Sequence, residues 1–132
     1  MFVTLALLST AILLGGMVLY SFGFAALMFK LFDEGEARRA LRHAFPPYYL
    51  FVVVAAAVAA LLAVVDTRLP AILLFVICVT TIYARQVLMI SINAATDRGD
   101  KGRFKLLHGA SVVLQLVQIG LCGWALVLLA AL

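Results

Sequence analysis

Four long apolar runs, residues 2–29, 48–65, 70–92 and 106–131, take up almost the whole chain, and they decide its solvent. A helix that crosses a bilayer needs about 20 mostly apolar residues at a rise of 1.5 Å each. Each run meets or approaches that length. With 67% hydrophobic residues and a mean hydropathy of +1.20, the chain lies far above the roughly 45–50% apolar content of soluble domains. The expected fold is all-α: an integral membrane antiparallel four-helix bundle, forming one transmembrane domain over residues 1–132. Its helices are expected over about 2–29, 48–65, 70–96 and 104–131. The first run lacks a basic n-region and stays apolar well beyond the roughly 7–15 residues of a signal-peptide core, so it reads as a retained helix.

The connections carry the charge. Lys30, Arg38, Arg39 and Arg42 lie between the first two runs, and Arg98, Lys101, Arg103 and Lys105 lie between the last two. The middle connection holds a single basic residue, Arg68. By the positive-inside rule, the basic loops 30–47 and 97–105 face the cytoplasm and both termini face away from it. A bacterial-type inner membrane is the expected location. Basic loops also attract anionic lipid headgroups, at about 1 kcal/mol per residue near the surface. The partners expected are therefore the bilayer and its anionic lipids, together with a homo-oligomer or larger membrane complex; nucleic acid is not expected.

Between the first two spans, residues 32–44 pattern as a short amphipathic helix. Leu31, Phe32, Ala37, Leu41, Ala44 and Phe45 suit one apolar face, and Glu34, Arg38, Arg39, Arg42 and His43 suit the other. Such a segment is expected to lie along the interface and to stop at Pro46 and Pro47, because proline lacks an amide donor and disfavours helix in the residue before it. Tyr48 and Tyr49 would then sit at headgroup level. In the first span, Gly16, Tyr20 and Gly23 share a face that favours close helix packing.

The polar residues inside the apolar runs are the functional clues. Arg85 lies about 12 Å deeper than Asn93 along the third helix, and all six carboxylates of the chain fall outside the apolar runs. A charge at the membrane centre costs about 2.5–3.5 kcal/mol on insertion scales, so such residues usually face the interior and mark function. A tight connection around Gly99 makes the third and fourth helices antiparallel neighbours. Pairing positions that sum to about 200 sets Cys78 level with Cys122, Arg85 with Gln115, Met89 with Ser111 and Ile92 with His108. His108, Ser111, Gln115, Gln118 and Cys122 recur at steps of three and four, on one helical face.

The expected site is thus a polar seam, with Arg85 gripping an anionic group through its planar fork. Gln86, Asn93, His108, Ser111, Gln115, Gln118 and Tyr20 would supply neutral contacts. The competing reading is that Arg85 snorkels to the headgroups or hydrogen-bonds Gln115 and backbone carbonyls. No cofactor is expected, although Cys78, Cys122, His108 and the methionines Met17, Met28 and Met89 offer donors that would suit haem or copper. No catalytic constellation is present, and an enzyme is the weaker reading.

Ile92, Asn93, Asp97, Gly99, Phe104, Leu107, His108, Gly109, Ser111, Val112, Gln115 and Gln118, in that order, resemble the transmembrane protein 205-like family of small four-helix membrane proteins. Gly15, Gly16, Phe45, Pro46, Tyr48 and Tyr49 are similar to that family as well. The resemblance implies no enzyme activity and marks Asn93, His108, Ser111, Gln115 and Gln118 as the shared polar set. A more distant likeness runs to CopD-type copper-resistance membrane proteins and to a haem-containing protoporphyrinogen oxidase family.

Overall fold

A computed structural model describes residues 1–132 as four long helices with no strand. They are α1 (Phe2–Leu31), α2 (Glu34–Ala63), α3 (Leu69–Asp97) and α4 (Lys101–Ala130). Each is long and apolar enough to cross a membrane, and at 1.5 Å per residue each measures about 45 Å. Ile12, Leu61, Phe75 and Val113 are among the many large apolar side chains exposed on the outer faces, a surface that suits lipid and would drive association in water. The protein is a small membrane protein built as a helical bundle.

Short turns make the helices antiparallel. Asp33 caps α2 by accepting from the Glu36 amide at 2.8 Å, and Asp100 caps α4 by accepting from the Arg103 amide at 3.1 Å, satisfying donors that a helix start leaves unpaired. Between α3 and α4, Gly99 takes φ +68°, a left-handed step that glycine adopts without steric cost. Pro70 falls in the first turn of α3, where a missing amide breaks no helical bond.

Each helix packs on its neighbours in sequence, and α1 also packs on α4, which closes the bundle. The core is drawn from residues three, four or seven apart, as helical faces require: Ala6, Leu13 and Met17 of α1, Val52, Ala56, Ala59 and Ala63 of α2, Leu74 and Ile77 of α3, and Cys122, Ala125 and Leu129 of α4. The alanines of α2 let α1 and α3 come close, the usual basis of helix association in lipid. Gly16 serves the same end from α1, since a Cβ there would lie 2.5 Å from the Phe51 ring.

One element departs from expectation. Residues 32–44 do not form a separate interfacial helix ended by Pro46 and Pro47, because α2 continues unbroken from Glu34 to Ala63. Proline locks φ near the helical value, so its cost is the lost amide and the crowding of the preceding turn rather than an impossible backbone. Side-chain donors from the neighbouring helices anchor the same stretch: Tyr20 Oη donates to the Ala44 oxygen at 2.8 Å, and Arg85 Nε donates to the Pro46 oxygen at 3.3 Å. Both donors lie within wider, π-helical turns, Leu19–Phe24 in α1 and Ala84–Leu88 in α3. Irregular turns in α1 and α3 therefore meet the double proline of α2 at one level of the bundle.

Candidate functional site

At that level the bundle holds a layer of aromatic and polar side chains. Tyr48, buried directly after the prolines, stacks on Tyr20 with ring centroids 4.6 Å apart. Its hydroxyl receives a hydrogen bond from Gln115 Nε2 and lies 3.3 Å from Ser21 Oγ. Gln115 Nε2 also donates to Ser21 Oγ at 2.7 Å. Three helices are joined here through one tyrosine oxygen, one serine oxygen and one amide. Deeper in, Gln118 is buried and donates to Thr80 Oγ1 at 2.7 Å and Thr81 Oγ1 at 3.0 Å. The two threonines in turn donate to the Val76 and Ile77 carbonyls, each at 2.7 Å. No buried side-chain polar atom is left without a partner, as hydrocarbon surroundings demand.

Toward the basic loops, the helices separate around two adjoining cavities of about 260 Å³ each. Phe29, Leu41, Phe45, Tyr49, His108 and Ser111 line both. The outer one continues to Arg38, Arg42, Met89, Asn93 and Thr96. The inner one continues to Ser21, Phe22, Ala25, Val112, Gln115 and Leu116. One end is therefore polar and basic, and the other is largely apolar and closes against the Gln115 layer. At the mouth, the Arg42 guanidinium makes a two-pronged bridge to Asp97, at 2.7 and 3.0 Å, and Arg38 pairs with Glu34 at 2.7 Å. His108 stacks on Phe104 with centroids 5.3 Å apart, which fixes its ring at the cavity edge.

The predicted residues divide into three groups. Asn93, His108, Ser111 and Met89 line the outer cavity, and Gln115 lines the inner one. Tyr20 and Gln118 hold the bundle together in the layers just described. Arg85 lines neither cavity; it is half-buried between α2 and α3 and donates to the Pro46 carbonyl rather than meeting Gln115. Gln86 is exposed. Asp97 is held by Arg42. The antiparallel register departs by one or two positions at Gln118, which meets Thr80 and Thr81 rather than Ile82.

Cys78 and Cys122 share a level and face apart. The Cys78 thiol lies 3.6 Å from the Val53 carbonyl and the Cys122 thiol 3.7 Å from the Thr10 carbonyl. No three His, Cys, Asp or Glu side chains are grouped so as to hold a metal ion.

Sequence reasoning missed Tyr48, Ser21, Thr80 and Thr81 as hydrogen-bond partners. A usable signal existed for the threonines, since two adjacent hydroxyls in an apolar span lie opposite Gln118. None existed for Tyr48, whose position after two prolines reads as an interfacial belt residue until α2 is known to be continuous.

Among curated proteins and solved structures, no match is found. Residues 8–101, spanning most of α1, all of α2 and α3, and the turn into α4, match the family model described as Domain of unknown function (DUF4149). The His108, Ser111, Gln115 and Gln118 face of α4 lies beyond the matched segment. By a match over well more than half its length, the chain belongs to the DUF4149 family.

Proposed function

We propose that this protein binds, or helps move, a small amphiphile with an anionic group, held in the paired cavities between α1, α2, α3 and α4. The observation that carries the reading is the continuity of the two cavities through His108 and Ser111. Together they fall within the roughly 300–1,000 Å³ of small-molecule sites. The anionic end faces Arg38, Arg42 and His108, and the apolar end lies against Phe22, Ala25 and Leu116. Around the mouth, eight basic residues (Lys30, Arg38, Arg39, Arg42, Arg98, Lys101, Arg103, Lys105) outnumber five acids (Asp33, Glu34, Glu36, Asp97, Asp100), a balance of 8 − 5 = +3, which raises the local concentration of anions. In this reading the basic loops are cytoplasmic, both termini are on the other side, and the membrane is a bacterial-type inner membrane. Of the five polar residues marked by the resemblance to the transmembrane protein 205-like family, Asn93, His108, Ser111 and Gln115 line the cavities and Gln118 does not.

Native mass spectrometry of protein released from native lipid nanodiscs tests the proposal. Wild type is expected to carry a defined extra mass, and Ser111→Phe, which fills the wall common to both cavities, is expected to lose it while remaining helical and monodisperse. Equal retention by the folded variant would sink the reading.

A scaffold or homo-oligomer role is the second reading. It is favoured by Gly109 and Gly120, which lie on α4 with open space where a Cβ would project, so another helix could approach closely there. Crosslinking in native membranes that recovers one stoichiometric partner, with no bound small molecule, would favour this role.

A further inference from the structure

A cavity of a different kind lies at the opposite end of the bundle, away from the basic loops. It is an open trough of about 530 Å³ on the outer face between α2 and α3. Its floor is made of small or inward-turned side chains: Ala60, Ala71 and Cys78 are only 8%, 6% and 7% exposed. Its walls are large and project outward: Leu61, Ile72 and Phe75 are 70%, 57% and 60% exposed. The Cys78 thiol points to the Val53 carbonyl, so the floor offers no free donor. One charged residue, Arg68, lines the trough, at its turn end.

Arg68 makes no ion pair, since the two salt bridges of the protein are Arg38–Glu34 and Arg42–Asp97. The one acid on its turn, Asp66, is not within bridging distance of it. An apolar trough ending in an unanswered guanidinium has the shape and charge of a lipid mould, because a guanidinium fork matches phosphate oxygens geometrically.

Size argues against a docked helix. Ala57 to Val64 and Ala71 to Cys78 each span seven residues, or about 10.5 Å at the helical rise. The trough, about 530 Å³ over that length, is too short to seat a crossing helix along its span, which would need roughly 30 Å of matching face. It admits hydrocarbon chains, whose atoms pack at about 4 Å.

We propose that this trough is a specific glycerophospholipid site, with the lipid phosphate on Arg68 and an acyl chain lying along the alanine floor between α2 and α3. The site is distinct from the cavities near His108 and stands or falls independently of them.

The test uses the full-length protein in vesicles of phosphatidylglycerol and phosphatidylethanolamine doped with a phospholipid carrying a photoactivatable diazirine midway along one acyl chain. Irradiation and peptide mapping are expected to place adducts on 57–64 and 71–78 above the level on the exposed α4 face at Trp124 and Val127, which lines none of the three cavities. Arg68→Gln should reduce that excess roughly fivefold, the change that one basic residue makes at a headgroup surface, and Arg68→Lys should restore most of it. Ala60→Phe, which fills the floor, should remove the excess with Arg68 intact. Labelling of the trough no higher than that of the α4 face in wild type would overturn the proposal, and that outcome needs no variant to fold. An excess indifferent to Arg68→Gln would overturn the phosphate contact. Absent labelling, with a Leu61→Cys variant forming disulfides between copies, would replace the lipid with a second molecule of the protein.

Discussion

Tyr48 and Gln118 are both buried and hydrogen-bonded, and their removal has unequal consequences. Tyr48→Phe deletes an oxygen that accepts from Gln115 and contacts Ser21, leaving a partly buried amide with one partner fewer; the expected loss is about 1–3 kcal/mol, the usual cost of stranding a buried polar group. Gln118→Leu takes away only a donor. Thr80 and Thr81 keep their own hydrogens on the Val76 and Ile77 carbonyls, so no donor is stranded, and the loss is expected to be about 0.6 kcal/mol, the average for interhelical hydrogen bonds in membranes. Reversible unfolding in mixed micelles of increasing denaturing detergent should rank the two variants in that order, and the reverse order would refute this account of the network. Residue chemistry was partly legible in the sequence: the polar face of α4 is real, and its members meet the partners that an antiparallel neighbour supplies. Arg85 shows where legibility ended. Its charge could be read, but its acceptor is the Pro46 backbone carbonyl on another helix, and a backbone carbonyl leaves no side-chain signature.

Between elements, α1 and α2 meet at Gly16, against the Phe51 ring. A longer side chain there must displace the Phe51 ring, which lies 2.5 Å from the position of an added Cβ. Gly16→Leu is therefore expected to cost about 1–3 kcal/mol through overpacking. Gly15→Leu, one residue away with nothing within 4 Å of its Cβ position, should be neutral or mildly stabilising, because leucine favours helix over glycine. Thermal denaturation of the two variants in one detergent separates packing from propensity, and equal destabilisation would refute the contact. The glycine pair could be found in the sequence, but which member faces α2 depends on helix rotation. The fate of Pro46 and Pro47 was read the wrong way for a related reason. Local rules weigh a missing amide against the segment alone, whereas here donors from α1 and α3, Tyr20 and Arg85, anchor the same stretch. Existence and type of the four spanning helices followed from length and apolarity, since those depend on the solvent and not on partners.

At the scale of the whole molecule, the closed bundle puts its polar architecture at one end and an apolar trough at the other. The level of Tyr20, Tyr48, Arg85 and Gln115 has a consequence for the bilayer itself. From that layer to the far end of each helix, α1 offers about 18 mostly apolar residues and α2, α3 and α4 about 15–16, or roughly 22–27 Å at the helical rise. A mean hydrocarbon core is about 30 Å thick. The layer therefore falls inside the hydrocarbon of an ordinary bilayer, as the exposed apolar Phe29, Ile90 and Val113 beyond it also require, and its hydroxyls, amide and guanidinium are satisfied within the bundle rather than by water. Reconstituted into phosphatidylcholines of increasing chain length, the protein should be most stable where the hydrocarbon core reaches about 30 Å, and a maximum in the shortest chains would contradict the placement of the layer inside the hydrocarbon. Hydrogen bonds that water would otherwise compete for are thereby sheltered in oil, so the two tyrosines, the glutamine and the arginine act as a clasp that the bilayer itself tightens.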